Sequence, residues 1–145
     1  MTLGATAFAR CPQLGADDAS VITEILTPVT EIREGAFAEI QLSEITIPGH
    51  AYDEIANGAF NNLRRTRVVN IGSDSDPCQW DSMIGNQLVN TSNDNMKNLF
   101  SSLGLLIGYN SQINIFRNTT VSSDPDPLRV YFGLNANITI HQIIV

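Results

Sequence analysis

The sequence predicts a mainly β chain: a short solenoid of stacked coils, followed by a small strand-rich cap with one or two short helices. Three observations carry that expectation. One segment recurs, as Leu3-Gly-Ala-Thr-Ala-Phe8, Ile32-Arg-Glu-Gly-Ala-Phe37 and Ile55-Ala-Asn-Gly-Ala-Phe60. Towards the C-terminus the pattern changes to period two, with Ile113 and Ile115, Val130 and Phe132, and Ile138 and Ile140 flanking Asn114, Tyr131 and Thr139. Charge is sparse, 16% of 145 residues, where an average soluble domain carries about a quarter. Asn, Ser and Thr take its place, which suits turns and sheets better than a helical bundle.

Each recurring segment is an aliphatic residue, three small or polar residues, then Ala-Phe. The second and third lie 23 residues apart; the first and second lie 29 apart, one period plus a six-residue insertion. Three residues after each Phe come Cys11, Ile40 and Leu63. Leu42, Ile45 and Ile47 follow in the second unit, and Val69 and Ile71 hold similar places in the third. The Phe is expected to fill the solenoid interior, and Ala to let backbones approach closely. Pro48 has no N–H to give to a ladder, so it ends the strand and starts the return. One unit cannot bury its own apolar face, so about three must stack.

The string AFAEIQLSEITIP followed by IANGAF resembles the BspA-type leucine-rich repeat over residues 3–72. That repeat runs aliphatic-x-x-x-Ala-Phe-x-x-Cys/Leu-x-x-Leu-x-x-Ile-x-Ile-Pro. The second unit is one residue short between Phe37 and Leu42, and the third has Thr66 where Leu is expected. The first unit loses the pattern after Leu14, at the poor strand residues Ala16, Asp17 and Asp18. The resemblance implies a leucine-rich-repeat solenoid without catalytic residues, of the kind found in surface and adhesion-associated proteins.

Residues 73–145 read differently, as a strand-rich C-terminal part continuous with the repeat-like residues 1–72. Gly72 to Cys78 is a turn-rich polar stretch. Trp80, Met83, Ile84 and Leu88 have helical spacing, which predicts a short helix over 79–89. Asn93 or Asp94 is placed to cap a second helix over about 95–103. Strands are expected at about 111–117, 128–133 and 137–144. They form either a capping sheet over the open end of the solenoid or irregular further repeats.

The net charge of −7 repels phosphate backbones, so nucleic acid is not an expected partner. No apolar run approaches the about 20 residues that span a bilayer. The first fifteen residues lack the basic cluster and apolar core of a secretory signal. Cys11 and Cys78 pair either as a disulfide or not at all. His50 and His141 stand without a neighbouring acid in a catalytic motif, and no Gly-x-Ser-x-Gly occurs. Asp74 and Asp76, like Asp124 and Asp126, read as solvated turn aspartates without the rest of a calcium loop. Three Asn-x-Ser/Thr sequons start at Asn90, Asn118 and Asn137. No enzyme activity, metal or cofactor is expected.

The basic cluster Arg64, Arg65 and Arg67 stands out in an acidic chain. With Glu44 and Thr46 on one strand and Arg67 and Asn70 on the next, it predicts a small mixed-charge face for contact with a protein partner. The expected role is a non-catalytic interaction module at a cell surface or outside the cell. The alternative is a structural subunit of a large assembly such as a viral particle, self-assembling through the C-terminal strands.

Overall fold

The computed structural model describes residues 1–11, 13–14, 18, 20–63, 65–78, 98–99, 101–102, 111–117 and 137–142. Among these residues two parallel sheets run along a stack of coils. The first has β1 (Thr2–Leu3), β2 (Glu31–Ile32) and β4 (Glu54–Ile55), in that order. The second has β3 (Glu44–Ile47), β5 (Val68–Ile71), β6 (Gln112–Arg117) and β7 (Asn137–Gln142), in that order. The helix α1 (Ser20–Leu26) precedes β2.

Register turns the sequence period into packing. Leu3, Ile32 and Ile55 are aligned across the first sheet. Ile45, Val69, Ile113 and Ile138 form one inward row of the second sheet; Ile47, Ile71, Ile115 and Ile140 form another. Interior members of these rows are completely buried, and exposure rises only at the ends, to 8% at Leu3 and 9% at Ile140. Each buried aliphatic side chain contributes about 1.5–3 kcal/mol. No coil could gain this alone, because its cover is the next coil.

Between the sheets the Ala-Phe segments form a third column, made of tight turns. The amides of Thr6, Phe8 and Arg10 donate to the carbonyls of Glu34, Ala36 and Ala38 at 2.8–3.0 Å. Gly35, Phe37 and Glu39 donate in the same way to Gly58, Ala59 and Asn61 at 2.8–3.2 Å. Turns in one coil thus hydrogen-bond to the next as strands do. Two residues of each turn, four apart, adopt a left-handed backbone: Thr6 and Arg10, Gly35 and Glu39, Gly58 and Asn62. Gly35 and Gly58 do so at φ 67° and 78°, while Thr6, at the same place in the first coil, does so at 55°. Phe37 stacks between Phe8 and Phe60, with ring centroids 5.5 and 5.3 Å apart and planes within 14°. That distance is close to the strand spacing of about 4.8 Å, so in-register coils bring the rings together.

The first coil departs from the others at the place where the sequence pattern fails. The inserted residues carry α1, which lies against β3 in the place of a strand. Ile22 and Leu26 are completely buried, and the Thr23 hydroxyl donates to the carbonyl of Thr46 at 3.2 Å. The helix therefore covers the edge of the second sheet. Asp18 accepts the Ser20 amide at 2.9 Å; the Ser20 hydroxyl and amide hold its carboxyl below the usual value. This helix is absent from the sequence reading, although Asp18 followed by Val21, Ile22, Ile25 and Leu26 carries its signal.

In the second half, β6 begins at Gln112, where a strand over 111–117 is expected, and β7 occupies 137–142. Both extend the β3–β5 sheet in parallel register. Asn98, Leu99, Ser101 and Ser102 have helical backbone. Leu99 is buried, and Asn98 donates to the carbonyl of Ile55 at 2.8 Å, capping the edge of the first sheet. The helix expected at 79–89 and the strand expected at 128–133 lie outside the described residues.

Candidate partner-binding surface

Alternation along β3 and β5 buries Ile45, Ile47, Val69 and Ile71 and leaves Glu44, Thr46, Val68 and Asn70 on the outer face. The same alternation on β6 and β7 adds Gln112, Asn114, Phe116, Asn137, Thr139 and His141 to that face. In register, Thr46, Asn70, Asn114 and Thr139 make one row across four strands.

Side-chain hydrogen bonds run along and between these rows. The Asn70 amide donates to Glu44 Oε1 at 2.8 Å and to Thr46 Oγ1 at 3.2 Å. Asn114 donates to Asn70 Oδ1 at 2.9 Å. Gln112 donates to Asn114 Oδ1 at 2.8 Å and to Thr139 Oγ1 at 3.1 Å. The face ends in a ring pair, Phe116 on His141, with centroids 4.3 Å apart and planes 8° apart. Amides suit such a row, because each brings donor and acceptor together and can link strands on both sides.

Of the residues expected to form the contact face, Glu44, Thr46 and Asn70 come together directly. Arg65 and Arg67 are both exposed just before β5. The Arg67 amide donates to Ser43 at 2.8 Å, and its guanidinium donates to the Thr66 carbonyl at 3.1 Å. Arg64 lies outside the described residues. The contribution of β6 and β7 is missing from the sequence reading of this face. Its signal was the alternation of Gln112 and Asn114 with Ile113 and Ile115, and of Asn137, Thr139 and His141 with Ile138 and Ile140.

The outer face of the first sheet is charged instead. The Thr2 hydroxyl donates to Glu31 at 3.0 Å, and Arg33 bridges Glu31 at 3.0 Å and Glu54 at 3.5 Å. Arg10 pairs with Glu39 at 3.0 Å along the turn column. Exposed pairs of this kind contribute about 0–1 kcal/mol each.

A second polar group lies beyond β3. His50 Nε2 is 2.6 Å from the carbonyl of Val29, so that nitrogen carries the proton and donates; its ring lies on Tyr52, 4.4 Å between centroids. Burial pushes the Tyr52 phenol up, with Cys78 and Asp76 adding to the shift. Asp76 accepts the Gly49 amide at 2.8 Å. These contacts clamp the return segment after Pro48. Cys11 and Cys78 are not joined in a disulfide. Among the described residues no group of three His, Cys, Asp or Glu is placed to hold a metal ion, and no helix is long and apolar enough to cross a membrane. Asp124 and Asp126 lie outside the described residues, as do Asn90 and Asn118; Asn137 is exposed on β7.

No family model, curated protein or solved structure matches the chain.

Proposed function

We propose that the chain is a non-catalytic protein-interaction module of the BspA-type leucine-rich-repeat kind, which presents the outer face of its four-stranded sheet to a protein partner. The observation that carries this reading is the in-register polar row from Thr46 to Thr139, with Arg65 and Arg67 exposed at its margin. Rows fixed by strand register keep their spacing without further ordering on contact, which lowers the entropic cost of binding. The stacked phenylalanines and the three matched turn segments support the repeat assignment. Affinity purification from the source cell tests the role, comparing the chain with the double variant Thr46→Lys/Asn70→Lys and with Glu31→Ala on the other sheet. A partner retained by the chain and by Glu31→Ala but lost by the double variant supports the reading, provided circular dichroism shows all three folded. Equal capture by all three overturns it.

A second reading is a structural subunit of a large assembly such as a viral particle. It is favoured by β7, which ends the described sheet with uncharged residues from Asn137 to Gln142 and exposes Asn137 and Thr139. Light scattering separates the two, with a monomer expected of the module and higher assemblies of the subunit.

A further inference from the structure

We draw no further inference here: the strongest candidate, the amide and hydroxyl row with the Phe116–His141 ring pair on the outer face of the four-stranded sheet, belongs to the site already described, and its side chains are hydrogen-bonded chiefly to one another.

Discussion

Thr66 donates its hydroxyl to the carbonyl of Leu42, 2.7 Å away in the preceding coil, from a position with no solvent exposure. It occupies the core place that Leu42 fills one coil earlier. A buried hydroxyl is tolerated there because the neighbouring backbone supplies its acceptor.

Replacing that hydroxyl by a methyl tests the arrangement. Thr66→Val keeps the shape but removes the donor, and should cost about 1 kcal/mol. Urea unfolding of the two proteins measures it. Unchanged or raised stability would mean that the Leu42 carbonyl gains nothing from the bond.

Phe37 is covered on both ring faces, whereas Phe8 is covered by Phe37 on one and is only half-buried. Phe37→Ala should therefore destabilise the fold by about 3–5 kcal/mol, and Phe8→Ala by about 1–2 kcal/mol. Denaturant midpoints of the two variants should differ in that order. The reverse order would contradict the stacking of coils around Phe37.

Gly49 sits against the backbone that follows β5. A Cβ there would lie 2.2 Å from the Asp76 carbonyl oxygen and 2.4 Å from that of Pro77, while one on Gly4 meets nothing within 4 Å. Backbone atoms cannot swing aside, so Gly49→Ala should cost about 3 kcal/mol. Gly4→Ala should change stability by less than about 0.5 kcal/mol. Thermal melts of the pair make the comparison, and similar melting temperatures would be the contrary result.

The raised Tyr52 phenol predicts a loss of stability in alkali. Below its ordinary value of 10.0 the phenol is protonated in both states, and its contribution is fully present. As pH climbs above 10 the unfolded chain loses the proton and the folded chain keeps it, so folding weakens by up to about 1.4 kcal/mol per pH unit. Stability measured in urea at pH 8 and pH 11 should fall further for the native chain than for Tyr52→Phe. Equal falls would show that the phenol ionises freely in the fold.

Two polar substitutions should separate the inter-strand row from surface charge. Asn70→Ala removes three side-chain hydrogen bonds to Glu44, Thr46 and Asn114, and should cost about 1 kcal/mol after partial replacement by water. Arg10→Ala breaks an ion pair whose arginine is 80% exposed, and should be silent within about 0.5 kcal/mol. Chemical denaturation of both distinguishes them, and a larger effect at Arg10 would reverse the ranking.

The sequence by itself determined the coil period, the inward phenylalanines and the alternation that sends Glu44, Thr46 and Asn70 outward. These follow from local geometry, since a strand side chain has two sides to choose from and apolar residues take the covered one. Three features depended on the assembled stack. The helix α1 lies where the repeat fails, and it packs on β3 through Ile22 and Leu26, which are buried only because that sheet edge is there to receive them. The hydroxyl of Thr66 was acceptable in the core only because coil register set it against the Leu42 carbonyl. The second sheet took β6 across the long separation from Ile71 to Gln112, and with it the far half of the polar face. Parallel pairing is fixed by contacts between distant coils, and no spacing within one coil encodes which strand will lie beside it.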